Sequence, residues 1–240
     1  MQTTINGQLL LIMLAEKIVD SLDCIVLQAN TDGLTFKIKN EDYDQFVSIC
    51  KEWEELTQLE LEFAEYEKMV IRDVNNYCGK FLNGYVKEKG IFLTKREWHK
   101  NHSMLCVSKA LNNYFLDNIP IIETFNNLDI LDFCKVVTTT GNWSTEYHYL
   151  KDSELHIEEH SKTTRYFISN KGGILIKRNN VDDREIMVES RTYVQIANVI
   201  DKSKELSSYD INFNYYLNEC NKIISKITPM ENYKLEFDYD

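Results

Sequence analysis

Glycine and proline are scarce, with eight and two among 240 residues. That excludes a collagen-like or low-complexity chain and leaves no room for a long flexible linker. Cysteine occurs six times, at Cys24, Cys50, Cys78, Cys106, Cys134 and Cys220, but never as a CxxC pair. The spread beside apolar or helical sequence suits reduced structural thiols and a cytoplasmic location. The longest apolar run, Leu9 to Leu14, is too short to span a bilayer. It lacks the basic lead and the cleavage site of a signal peptide. No Walker A loop, GxGxxG or GxSxG occurs. His156 and His160 sit in HIEEH rather than His-Glu-x-x-His, and His99 and His102 have no cysteine near them. Zinc chemistry therefore has little support.

Positive charge is also short, at 27 Lys and Arg against 38 Asp and Glu, a net charge of −11. Alone, that opposes phosphate-backbone binding, which draws on lysine and arginine. The distribution is more telling than the sum. Residues 41–73 hold eleven acidic and three basic side chains, whereas residues 79–109 hold seven basic and two acidic. This fits a DNA-facing strip beside a solvated face, and equally an ordinary fluctuation of charge.

The residues that are abundant make a foldable mixture. Hydrophobic residues make up 43% and charged residues 27%, too apolar for disorder and enough for one large or two small domains. Ile5, Leu9, Ile12, Met13 and Ile18 recur at helical spacing over residues 4–22. Two short apolar runs then flank Asn30-Thr31-Asp32-Gly33, which predicts a β-hairpin. A helix is expected over 41–57. Three strands are expected over 59–93: LELEFAEY, KMVIRDVNNYCGKF and YVKEKGIFL, with a turn at Asn83-Gly84. Amphipathic helices come next, including one through IIETFNNLDILDFCKVV. Short strands over 145–199 and a last helix over 212–227 complete the chain. A boundary is placed near residue 93.

Asp32 is the first candidate for chemistry. A carboxylate at a hairpin tip protrudes and can ligate a hard cation such as Mg²⁺. Asp and Gly are also common turn residues, so the turn alone leaves both readings open.

QANTDGLTF, after a helix and an apolar strand, resembles motif C of family B DNA polymerases, whose usual core is Asp-Thr-Asp-Ser between two strands. INGQLLLIMLAEKI resembles the preceding helix of phage members. VIRDVNNYCGKF resembles the strand with the Lys-x-Tyr motif that grips the primer, and Tyr77 matches its tyrosine. YVKEKGIFL resembles the Lys-Gly segment downstream of that strand, with Lys89 and Gly90 matching. The stretch from residue 98 to 125 resembles the start of a phage-type thumb; beyond residue 135 the likeness is weaker.

The resemblance implies an α+β fold: an antiparallel palm-like sheet with packed helices over residues 1–93, then a mainly helical thumb-like domain over 94–240. It implies Asp32 as catalytic and metal-binding residue, with Asn30, Thr31 and Gly33 as its motif neighbours. It also implies duplex contacts by Arg72, Asn75, Tyr77, Lys80, Lys87, Lys89 and Lys100. The expected cofactor is Mg²⁺ in a two-metal site. The expected partners are primer-template DNA, deoxynucleoside triphosphates and an amino-terminal polymerase fragment, without a membrane.

The sequence departs from the family at three points. Asn30 stands at the position of the first aspartate of motif C, and Asn75 at the lysine of Lys-x-Tyr. No Ser-Leu-Tyr-Pro-Ser string or Lys-x-x-x-Asn-Ser-x-Tyr-Gly helix occurs, so the motif A carboxylate would come from elsewhere. The expectation is therefore a split subunit or a truncated reading frame, with apolar surface exposed along Ile5–Leu22. Two functions stay open: a polymerase portion active with its partner, and a non-catalytic DNA-binding clamp or remnant.

Overall fold

The computed structural model describes residues 2–95, 103–201 and 204–227. Helix α1, Gln2–Ser21, buries Leu14 and Ile18, and Leu22 just past its end continues the same spacing. The helix packs on α2, Tyr43–Thr57, whose Ile49, Cys50 and Trp53 face it. The Trp53 indole donates to the Leu10 carbonyl at 2.9 Å, so the buried ring nitrogen is satisfied. Between the helices lies the expected hairpin, β1 (Ile25–Ala29) and β2 (Leu34–Lys37). These elements share a small hydrophobic cluster that Phe36, Phe46 and Leu61 also join.

The next sheet runs β3 (Tyr66–Asp73), β4 (Asn76–Phe81) and β5 (Val86–Lys89), antiparallel throughout. It differs from the expected meander in two ways. Residues 59–65 are not a strand. The segment read as one long strand, residues 68–81, reverses at Val74-Asn75. The Asp73 carboxylate drives that reversal, accepting from the Asn75 amide at 3.0 Å and from Asn76 Nδ2 at 2.7 Å. The single palm-like sheet is instead two small sheets, β1-β2 and β3-β4-β5.

Helices α3 (Leu105–Asp117), α4 (Ile121–Asn126) and α5 (Ile130–Phe133) come after it. The one helix expected over residues 121–137 is broken. Asp129 starts α5 with a reciprocal capping box to Asp132, and Cys134 then turns extended into β6, Lys135–Thr138. The remaining strands are β7 (Trp143–Lys151), β8 (Glu154–His160), β9 (Thr163–Ser169), β10 (Ile174–Asn179), β11 (Glu185–Met187) and β12 (Tyr193–Ile196), before helix α6, Phe213–Ile224. They form sheets ordered β11-β10-β7-β8 and β12-β9-β6.

The carboxy-terminal part is therefore mixed, not mainly helical. Its strand segments alternate polar and apolar residues too tightly for a helical stripe. The fold is α+β with antiparallel sheets.

A second, larger hydrophobic cluster runs from Val70 and Cys78 through Phe92, Phe125 and Phe133 to Tyr216 and Cys220. The expected boundary near residue 93 lies inside it, because Phe92 and Cys106 belong to the same cluster. Tyr216 ties three elements of this cluster, donating to the Phe133 carbonyl at 2.7 Å and accepting from the Ile168 amide at 2.9 Å. The six cysteines are free thiols, five of them buried and Cys24 half-buried. Burial pushes the thiols of Cys78, Cys134 and Cys220 up to about 12. Among the described residues, no helix is long and apolar enough to cross a membrane.

Candidate functional site

The hairpin between β1 and β2 closes tightly: the Asn30 amide donates to the Gly33 carbonyl at 2.8 Å. Thr31 and Asp32 are thereby held exposed at the tip. Behind the tip lies the buried Gln28. Its side-chain amide donates to Asn30 Oδ1 at 3.5 Å and to the Val74 carbonyl at 3.3 Å. One glutamine therefore joins the hairpin to the β3–β4 turn, across 46 residues of chain.

These turns open onto a cleft of about 740 Å³. Asn30, Thr31 and Asp32 line one side, and Val74, Asn75 and Lys89 another. Helix α1 supplies the remaining wall through Leu11, Ile12, Ala15 and Val19, with Gln8, Glu16 and Asp20 among them. The cleft is apolar in its walls and polar at its rim, as small-molecule and substrate sites commonly are. Its ionic groups are the carboxylates of Glu16, Asp20 and Asp32 and the ammonium of Lys89.

The close packing of Gly90 fixes the backbone next to Lys89. Gly90 has φ +63°, and a Cβ there would lie 2.3 Å from both the Asn75 carbonyl and Asn76 Oδ1. Only glycine fits that approach without strain. Asn76 uses the gap to bind both flanks: its Oδ1 accepts the Ile91 amide at 2.9 Å, and its Nδ2 donates to Asp73. The hydrogen bond from Asn76, with help from the Asn75 amide and Arg72, holds the Asp73 carboxyl below its ordinary value.

The sheet sorts the basic candidates by face. Tyr77 pairs with Lys89 and Gly79 with Lys87, so these residues share one side of the sheet. Lys89 Nζ lies 5.7 Å from the centre of the Tyr77 ring, a cation–π contact. Tyr77 itself is buried, only 5% exposed, and so offers little surface to a ligand. Lys87 and Lys89 are exposed. Lys80 projects from the opposite side and is engaged with Asp117 of α3 at 2.9 Å. Arg72 is exposed beside Asp73 at 3.5 Å. Lys100 lies outside the described residues.

The structure thus brings Asp32, Asn30, Thr31, Asn75 and Lys89 around one cleft, with Gly33 closing the turn. Lys87 lies on the Lys89 side of the sheet, and Lys80 does not. Sequence reasoning missed Gln28, Asn76 and the wall of α1. A glutamine inside the apolar run CIVLQA was the one available signal for Gln28.

For a hard cation, Asp32 offers an exposed oxygen ligand at the rim. Among the described residues no group of three His, Cys, Asp or Glu stands ready to hold a metal.

No protein-family profile, curated protein or solved structure matches the chain.

Proposed function

We propose that this chain is the carboxy-terminal palm and thumb portion of a family B DNA polymerase of the phage type. One observation carries the reading. The three segments that resemble motif C, the Lys-x-Tyr strand and the Lys-Gly segment are separated in sequence, yet Asp32, Asn75 and Lys89 line the same cleft. A chance turn aspartate has no reason to face the same cleft as the other two motifs.

In this reading Asp32 is the metal-binding carboxylate. Mg²⁺ bound there would supply charge neutralisation for phosphoryl transfer and lower the pKa of the attacking hydroxyl. Asp32 holds its share of that charge at the hairpin tip, and Gln28 keeps the tip in register with the primer-side turn. Lys87 and Lys89 meet backbone phosphates, contacts that position a duplex without reading its sequence. The second carboxylate and the nucleotide-binding helix come from an amino-terminal fragment. The exposed Ile5, Leu9 and Ile12 of α1 offer that fragment an apolar docking surface.

The experiment combines the chain with an amino-terminal polymerase fragment carrying motifs A and B, on a primed template with Mg²⁺ and all four nucleotides. Extension is expected only with both parts. Asp32→Ala should abolish it while leaving primer-template binding largely intact, and Asn30→Asp should be tolerated. Extension at the wild-type rate by the Asp32→Ala complex would overturn the assignment of Asp32. Extension by the chain alone would overturn the need for a partner. Duplex binding that Lys87→Glu and Lys89→Glu leave unchanged in strength and salt dependence would remove the proposed DNA track.

A further inference from the structure

The sheet β11-β10-β7-β8 ends at β8, and among the described residues no strand pairs with the outer edge of β8. Such an edge is a template for another strand. Two features show which backbone groups it presents. Asp152 and Ser153 both have positive φ, 51° and 66°, and Lys151 pairs directly with Glu154. This is a two-residue hairpin turn of the primed type. The pair that closes such a turn exchanges hydrogen bonds, and the alternation of an antiparallel ladder then assigns the rest. Glu154, His156, Glu158 and His160 spend their N–H and C=O groups on β7. Leu155, Ile157 and Glu159 direct theirs outward.

Side chains on this edge are unusually open for an apolar set. Leu155 is 62% exposed and Ile157 53%, beside Leu150 at 73% on the neighbouring strand. Leu150 and Leu155 pair across the ladder, so the three form a bare aliphatic patch on one side of the sheet. The other side carries a polar ladder: His156 stacks on Tyr149 with ring centroids 5.4 Å apart, and the Tyr149 hydroxyl donates to Glu158 at 2.5 Å.

We propose that β8 pairs antiparallel with β8 of a second copy of this chain, about a two-fold axis through Ile157. Centres on His156 or Glu158 also pair outward-facing residues but set like side chains opposite each other, His156 on His156 or Glu158 on Glu158, so the axis falls on an odd-numbered residue, of which Ile157 is the middle one. The pairing places Ile157 opposite Ile157 and Leu155 opposite Glu159, with their N–H and C=O groups meeting across the axis. It also sets His156 opposite Glu158 and Glu154 opposite His160, twice each by symmetry. Every imidazole on the strand then faces a carboxylate, and the two carboxylates on that side never face each other. A register centred on Leu155 or Glu159 loses this match: a centre at Leu155 sets Glu154 opposite His156 but leaves Glu158 and His160 beyond the end of the partner strand. The two four-stranded sheets become one of eight strands, and the aliphatic patches of both copies become neighbours. A single strand pair is a small interface, so the dimer is weak and self-limiting, closed by its own symmetry.

Sedimentation equilibrium on the full chain tests this. The wild type should show a concentration-dependent monomer–dimer equilibrium. Ile157→Pro removes an outward N–H that serves only the interface, a position where an edge strand accepts proline. It should leave the circular dichroism of the monomer unchanged and abolish the dimer. His156→Glu places like charges opposite each other at two symmetric positions and should raise the dissociation constant roughly tenfold. Adding Glu158→His to it restores the complementarity and should return the constant to near the wild-type value. A wild type that stays monomeric into the millimolar range would overturn the proposal. So would a dimer that survives Ile157→Pro, or a charge swap that fails to restore the single variant.

Discussion

The two hydrophobic clusters differ in how completely they are covered. The larger holds Phe92, Phe125, Phe133 and Tyr216 at or near zero exposure, and draws on helices α3 to α6 and on three sheets. The smaller buries only the carboxy-terminal half of α1. Leu14, Ile18 and Leu22 are inside, while Ile5, Leu9 and Ile12 at the other end are 48%, 58% and 52% exposed. The packing of α1 is thus uneven along its length. The candidate cleft lies where the two clusters adjoin, and Gln28 is a polar link between them. The part with the incomplete core carries Asp32, and the part with the complete core carries Asn75 and Lys89.

The largest effects should separate the clusters. Phe133→Ala removes a fully buried ring from the larger one and should cost about 4 kcal/mol, whereas Ile18→Ala in the smaller should cost about 3 kcal/mol. The sharper difference is in which amides open. Hydrogen exchange should show Ile18→Ala accelerating α1, α2 and the β1–β2 hairpin while β9 and α6 stay protected. Phe133→Ala should accelerate both groups. Uniform acceleration by Ile18→Ala would mean that the clusters unfold as one.

A middling effect is expected at the seam. Gly90→Ala forces a Cβ against the Asn75 carbonyl and strains a positive φ. It should cost about 2 kcal/mol and displace Lys89. Duplex DNA binding, measured by fluorescence anisotropy, should weaken along with the loss of stability seen in urea titration. Unchanged stability would mean that the turn at Val74-Asn75 yields easily.

The smallest effect concerns pH. The Asp73 carboxyl is held below its unfolded value, chiefly by Asn76. Its contribution is therefore present above the unfolded carboxylate pKa and lost as pH falls through the lower folded value. Asp73→Asn should remove that part of the acid dependence, visible as a flatter stability profile in the acid range and no change in slope near neutrality. Identical profiles for the two proteins would show that Asp73 titrates alike in the folded and unfolded chain.

Much of the smaller cluster was legible in the sequence, because its elements are local. The stripe of α1, the turn Asn30-Thr31-Asp32-Gly33 and the face of α2 are each set within one segment. The reversal at Val74-Asn75 was hidden, because the alternation of VIRDVNNYCGKF reads through it. A side-chain carboxylate, not a glycine or proline, makes that turn. Likewise the apolar spacing of residues 121–137 suits one helix, and only the cap at Asp129 and the extended backbone of Cys134 divide it. The site shows the same limit. Asp32, Asn75 and Lys89 stand out one by one, but Gln28 and the α1 wall gain meaning only when distant segments meet.

Thiol burial makes the chain selectively addressable. Only Cys24 is not fully buried, and it lies at the entry to the hairpin that carries Asp32. The other five thiols are withdrawn from solvent; burial raises the pKa of all six, Cys24 included, so exposure and not acidity sets Cys24 apart. A maleimide dye added briefly to the native protein therefore attaches at one place, without any cysteine having been removed. The label sits at the base of the hairpin that carries Asp32, against the smaller cluster, where its emission can register a change in how that hairpin packs.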